Sequence, residues 1–201
     1  MGATLLAVLV SLQLTRPAAF TERAPAVYKA SFDTSKGTFV VEVRRAWAPL
    51  GADRFYNLVK SGFYDDSRFF RIIDSALVQA GMHGDPKVQA AWASATIPDE
   101  PAKESNRRGT VVLASAGPDT RSTQFFINLA DNSRSLDRQH VAPIGRVVSG
   151  MDIVDSLYSG YGDGAPRGSG PDQSQIRAEG NAYLLKNFPK LDYIRHASIQ
   201  K

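Results

Sequence analysis

Short runs in which apolar and polar residues alternate fill most of the chain after its first thirty residues, and this alternation is the pattern of half-buried β-strands. Two such runs, over residues 28–32 and 38–44, flank a Ser-Lys-Gly turn at residues 35–37 and predict a hairpin. In the second run Phe39 and Val41 share one face, because side chains alternate between the two sides of a strand. The first folded unit is therefore predicted to be an antiparallel strand pair.

Helical periodicity appears in two segments. Residues 49–61 begin with Pro49, which suits a first helical turn, carry an apolar stripe, and end before Gly62, which suits a helix C-terminus. Residues 151–158 show a shorter version of the same pattern. Further strand-like runs, separated by Gly, Pro, Asp and Asn, occupy residues 68–73, 110–115, 125–129 and 144–148. Many short strands with few helices favour a closed or sandwich β architecture.

The chain changes character after residue 159. Residues 160–171 are rich in Gly and Pro and predict a surface loop, because their glycine spacing matches neither common phosphate-binding motif. Residues 173–187 predict a polar helix weakened by Gly180, and residues 191–199 predict a closing strand.

The N-terminal residues form a unit of their own. Residues 3–14 are almost entirely apolar, too short to span a bilayer, and similar to the central part of a secretory signal. We predict a signal peptide or leader over residues 1–25 and one folded domain over residues 26–201. The predicted location is the secretory pathway, the periplasm or the extracellular space. A disordered leader or an uncleaved anchor, and a cytoplasmic location, are the alternatives.

Composition narrows the chemistry. The 201-residue chain has a net charge of +4, but its Lys and Arg are scattered and form no basic stripe, which argues against nucleic-acid binding. It contains no cysteine, so disulfides, thiolate nucleophiles and cysteine zinc sites are excluded. The three histidines lack the spacing of a metal-binding pair, and no G-x-S-x-G nucleophile elbow occurs. The residues alone indicate an enzyme or binding module without metal, dinucleotide or covalent nucleophile.

Two sequence blocks resemble a known family. The first reads FFRII at residues 69–73 and LVQAG at residues 77–81, and the second reads ASAGPDT at 114–120 and TQFFI at 123–127. Together they resemble the signature blocks of cyclophilin-type peptidyl-prolyl cis/trans isomerases, and the likeness runs in the family's order from about residue 28 to residue 158. The resemblance implies an eight-stranded antiparallel β-barrel capped by two helices. Residues 160–190 would then be a loop and helix inserted before the last strand.

The resemblance also implies an activity. A peptidyl-prolyl isomerase assists protein folding by rotating X-Pro bonds, and it needs no cofactor or metal. Its partners would be proline-containing peptides and unfolded proteins, and the chain would be a monomer without a stable membrane span. A catalytically weak chaperone module that binds proline peptides is the alternative. A structural subunit that docks through residues 160–190 is a third reading.

The same resemblance assigns the site. Arg71 is the implied donor to the prolyl nitrogen, with Gln79 as the second catalytic residue. The implied substrate-binding positions are Phe126, Gln124, Leu77, Ala76, Ala114, Ser115, Leu136 and His140. Ala76 stands where the family usually carries a large Phe, so the sequence predicts a wider and weaker proline pocket.

Overall fold

Eight antiparallel strands form one continuous sheet in the computed structural model, which describes residues 13–139 and 141–200. The strands are β1 (Val27–Thr34), β2 (Gly37–Arg44), β3 (Arg71–Ile73), β4 (Leu77–Ala80), β5 (Thr110–Leu113), β6 (Phe125–Asn128), β7 (Pro143–Ser149) and β8 (Ile194–Ile199). Their order in the sheet is β3-β4-β6-β5-β7-β2-β1-β8. The prediction of eight antiparallel strands is confirmed.

The two edges of this sheet meet. An isolated antiparallel bridge joins Arg68 to Tyr193, and the amide of Phe69 donates to the carbonyl of Asp192 at 3.0 Å. The amide of Ile194 donates to the carbonyl of Ser67 at 2.9 Å. The sheet therefore curls round on itself, and its ends are joined by the residues that precede β3 and β8. These contacts satisfy edge backbone groups that would otherwise lie unpaired.

Six short helices that lie wholly within the described residues surround the sheet. They are α1 (Pro49–Lys60), α2 (Pro86–Trp92), α3 (Ser133–Leu136), α4 (Met151–Asp155), α5 (Gln173–Glu179) and α6 (Asn181–Asn187), with 3-10 turns at Pro17–Ala19 and Asp137–Gln139. The predicted single helix over residues 173–187 is in fact two, broken at Gly180. This glycine has a φ of 60°, and a Cβ there would clash with the carbonyl oxygen of Gly84. Among the described residues, no helix has the length and apolar character required to cross a bilayer.

Aromatic rings fill the interior of the curled sheet. Phe32 stacks on Phe39 with ring centroids 5.0 Å apart, and Phe125 packs against Phe32 at 5.7 Å. Phe125 is fully buried in this core, whereas Phe126 belongs to the opposite face of β6. The alternation along β6 thus separates a core position from a position that is free to serve a surface site.

A second, smaller core joins the insertion (residues 160–190) to the outside of the sheet. Phe70 and Met82 of the sheet side pack with Ile176, Leu184 and Leu191. The ring of Tyr161 meets that of Phe188 edge-on at 5.0 Å, next to this cluster. Residues 160–169 are exposed or half-buried, as expected of a surface loop, but Gly170 and Pro171 are buried. The insertion as a whole is anchored to the sheet beside β3.

The described part of the predicted leader packs on the folded domain. Leu14 is only 4% exposed, and its carbonyl accepts a hydrogen bond from Nε1 of Trp92 at 2.8 Å. The ring of Phe20 lies 5.6 Å from that of Trp92, and the amide of Ala24 donates to Asp53 at 2.9 Å. Residues 1–12, which carry most of the apolar stretch, lie outside the described residues, so cleavage of a leader stays a prediction.

Candidate active site

Strand register brings the main site residues into one row. Arg71 of β3 pairs with Gln79 of β4, and Gln79 pairs with Phe126 of β6. Directly paired residues of neighbouring strands project from the same face of a sheet. Because Phe125 points into the core, this row lies on the outer face. Residues 55 positions apart in the chain therefore become neighbours.

A chain of hydrogen bonds runs along this row. Nη1 of Arg71 donates to Oε1 of Gln79 at 2.9 Å, and Nε2 of Gln79 donates to Oε1 of Gln124 at 2.8 Å. Nε2 of Gln124 continues to Oε1 of Gln173 at 3.4 Å. On its other edge, Arg71 donates from Nε to Oδ1 of Asp163 at 2.5 Å. The guanidinium is thus held from two sides, and Gln79 is one of the groups that hold it.

A surface groove with a cavity volume of about 380 Å³ opens beside these residues. It contains eight of the ten residues that the sequence assigned to the site, which are Arg71, Leu77, Gln79, Ala114, Ser115, Gln124, Phe126 and Leu136. Leu77, Phe126 and Leu136 supply apolar surface, and the polar members lie around them. His140 is outside the described residues, so its predicted role remains a prediction.

Ala76 is not among the residues that line the groove, although it directly precedes Leu77, which is. Ala76 lies in the turn between β3 and β4, where its amide donates to the carbonyl of Ile73 at 3.0 Å. Its carbonyl accepts from the amide of Leu129 at 2.8 Å and from Nδ2 of Asn132 at 2.9 Å. Its neighbour Leu77 lines the groove and Ala76 does not. Because an alanine side chain ends at Cβ, its absence from the lining is also what a missing Phe ring would give, and the expected widening of the pocket stays a prediction.

Several lining residues were not expected from the sequence. The insertion contributes Arg167, Gln173 and Arg177, and α2 with the residue after it contributes Gln89, Trp92 and Ala93. The pair Phe69-Phe70 was the one sequence feature that could have indicated packing of the insertion against the outer face of the sheet. Consecutive strand residues face opposite sides, so two adjacent phenylalanines require apolar cover on both faces. The insertion supplies that cover over Phe70.

Positive charge dominates the groove. Three arginines line it, Arg71, Arg167 and Arg177, and no carboxylate lies among the lining residues that the structure describes. Asp163 sits just behind this wall, where the hydrogen bond from Arg71 holds the pKa of its carboxyl below the ordinary value. Asp163 is therefore ionised at neutral pH and forms a charge-assisted pair with Arg71.

Comparison with known proteins agrees with this fold. The family model described as "Cyclophilin type peptidyl-prolyl cis-trans isomerase/CLD" matches residues 29–177. The chain belongs to the cyclophilin-type peptidyl-prolyl cis-trans isomerase family. The matched segment contains both signature blocks and ends within α5, so it spans the first part of the insertion as well.

Two similar proteins, one from a bacterium and one from a plant, are named peptidyl-prolyl cis-trans isomerases. A peptidyl-prolyl cis-trans isomerase of Acinetobacter baylyi is 33% identical over 128 residues, covering 62% of this chain and 68% of the relative. Peptidyl-prolyl cis-trans isomerase CYP18-2 of Arabidopsis thaliana is 34% identical over 142 residues, covering 69% of this chain and 85% of the relative. A crystal structure of a Cryptosporidium parvum cyclophilin-type isomerase superposes with a TM-score of 0.61. It covers 87% of this chain and 98% of its own, at 18% identity, and so supports the fold.

Proposed function

We propose that the groove binds X-Pro peptide segments and that Arg71 donates a hydrogen bond to the prolyl nitrogen while the bond rotates. The chain is a peptidyl-prolyl cis-trans isomerase of the cyclophilin type. The main support for assigning this role to Arg71 is that two hydrogen bonds hold its guanidinium in place. Gln79 and Asp163 hold Nη1 and Nε, and Nη2 has no hydrogen-bond partner among the described residues. One donor group is thus held in place beside an apolar groove.

Rotation of an X-Pro bond requires little catalytic machinery beyond an oriented hydrogen-bond donor and a pocket for the proline ring. Rotation about an X-Pro bond is slow because amide resonance must be lost, and a peptide barrier is about 18–20 kcal/mol. Once resonance is lost, the prolyl nitrogen becomes pyramidal and its lone pair can accept a hydrogen bond. Arginine is permanently protonated and presents several N–H groups. A donor that is already oriented stabilises this transition state more than the planar ground state, which is what lowers the barrier.

The groove offers distinct places for the proline ring and its flanks. Phe126 is 7% exposed, and with Leu77 and Leu136 it would enclose the ring. Ala114 and Ser115 follow β5 at the rim, where an extended peptide could pair with the backbone. The amide of Ala114 is already bonded to the carbonyl of Gln124 at 2.8 Å, which leaves the exposed Ser115 as the better partner. A peptide held on that flank can rotate on the other.

A protease-coupled assay on a short X-Pro peptide tests the proposal. We expect turnover well above the thermal rate, at which uncatalysed exchange takes about tens to hundreds of seconds. Equilibrium binding of the same peptide is measured in parallel. Saturable binding without turnover would contradict the proposal and favour a chaperone module that only binds proline peptides. If the protein shows neither binding nor turnover, the proposal is contradicted and a structural subunit is the remaining interpretation.

We further propose that the protein acts as a monomer on unfolded, proline-containing clients and that it is exported. Export is supported by the apolar run at residues 3–14. Intact-mass analysis of protein recovered from its native source tests this point. A mature chain that starts at Met1 or Gly2 would contradict export by a cleaved signal.

A further inference from the structure

We propose that Asp163 of the insertion is a positioning residue that sets the orientation of the Arg71 guanidinium for the isomerase reaction. The inference rests on the proposed role of Arg71. It goes beyond that role because Asp163 belongs to the segment 160–190, which the sequence treats as an addition to the barrel.

Two hydrogen bonds fix the plane of the Arg71 guanidinium. Oδ1 of Asp163 accepts from Nε of Arg71 at 2.5 Å, and Oε1 of Gln79 accepts from Nη1 at 2.9 Å. The side chains of Arg71 and Asp163 are 16% and 25% exposed. Because a guanidinium is planar, two anchors on different nitrogens leave it little freedom to turn. With Gln79 alone, the group could still swing about a single contact.

Asp163 is itself held in place by its loop. The amide of Gly164 donates to Oδ1 of Asp163 at 2.8 Å, and the amide of Gly170 donates to the carbonyl of Asp163 at 2.9 Å. A Cβ at Gly168 would clash with that same carbonyl oxygen, so a residue without a side chain is required there. The glycine-rich sequence thus folds tightly around Asp163 and fixes its carboxylate.

The insertion is tied to β3 at the residue next to Arg71. Phe70 is buried in the cluster that contains Ile176 and Leu184 of the insertion. Gln173, at the start of α5, also reaches Gln124 at 3.4 Å. The insertion therefore contacts Arg71, its neighbour Phe70 and also Gln124, and these contacts keep Asp163 in register with Arg71.

The expected consequence is a loss in kcat. Freeing one long, rotamer-rich side chain lowers the fraction of molecules in which Nη2 faces the prolyl nitrogen. We expect Asp163→Ala to lower kcat about tenfold while KM stays within about twofold, since bound substrate still finds the same groove. Asp163→Asn keeps an oxygen for Nε and should recover part of kcat. Glu179→Ala is the control, because Glu179 is an exposed carboxylate of the same insertion that lies outside the lining of the groove.

Two measurements test the inference. NMR exchange spectroscopy on an X-Pro peptide, which needs no coupling protease, gives kcat and KM for each variant. The Nε–H resonance of Arg71 reports its bond to Asp163 directly, and it should be protected from solvent exchange in the wild type and in Glu179→Ala but not in Asp163→Ala. A merely structural role would alter thermal stability without this selective loss.

The inference is overturned if Asp163→Ala, folded and with an unprotected Nε–H, turns over at the wild-type rate or faster. A faster variant would mean that the carboxylate restrains Arg71 instead of orienting it. Failure of the proposed function looks different, because the wild type would then show no turnover. The near-isosteric Asp163→Asn keeps the test decisive if the alanine variant does not fold.

Discussion

Removal of the Arg71 guanidinium is the most direct test of the site. In Arg71→Ala the groove keeps its apolar wall of Leu77, Phe126 and Leu136, but it loses the donor that meets the prolyl nitrogen. Loss of one preorganised donor in an enclosed site lowers kcat by about 10²–10³-fold. We therefore expect kcat/KM to fall by about two to three orders of magnitude, with most of the effect on kcat.

The substitution also affects stability, and the structure bounds this effect. Gln79 and Asp163 each lose one hydrogen bond to a charged group, at 2.9 Å and 2.5 Å. Bonds of this kind contribute about 1.5–3 kcal/mol each, and the partial exposure of Asp163 lets water replace part of its share. A domain of this kind is stable by about 5–15 kcal/mol, so we expect the variant to fold.

The assay compares three variants with the wild type in the protease-coupled format, with thermal melts and circular dichroism as folding checks. Arg71→Lys keeps the charge but cannot satisfy Asp163, Gln79 and substrate with one ammonium, so it should also lose most activity. Arg146→Ala removes an exposed arginine on β7, outside the lining of the groove, and should behave as wild type. A folded Arg71→Ala protein with wild-type kcat/KM would refute the assignment of the donor.

Two further predictions concern the pocket and pH. Phe126→Ala should lower kcat/KM about 10- to 100-fold by removing the pocket wall, which steady-state kinetics on the same peptide would show; an unchanged value would mean that the proline ring sits elsewhere. Burial lowers the pKa of His83 below its ordinary value. The contribution of this histidine to the free energy of unfolding should therefore be complete above about pH 6.5, and it should decline as the pH falls through the lower pKa of the folded state. Urea melts from pH 8 to 5 should show this decline, and His83→Gln should flatten it in that range.

Local pattern was sufficient for the long, regular elements. Alternation and a turn sequence predicted β1 and β2, and a proline start with an apolar stripe predicted α1. The local sequence pattern did not predict β4 or α2. Strand β4 has only four residues, three of them buried, and so shows no alternation, while α2 has seven residues and barely two turns of period. Their existence depends on neighbours such as β3 and β6, which pair with β4 on either side.

The sequence by itself determined the family and the core of the site. The signature residues Arg71, Gln79 and Phe126 sit on short strands, and Gln124 directly precedes one of them. Strand pairing brings all four to one groove, and alternation alone separates Phe125 from Phe126. Only the tertiary structure decided that Asp163 holds Arg71, across 92 positions of the chain. No periodic pattern encodes that contact, because it arises from the packing of the insertion on Phe70 and from a glycine-rich loop whose shape depends on its own long-range bonds.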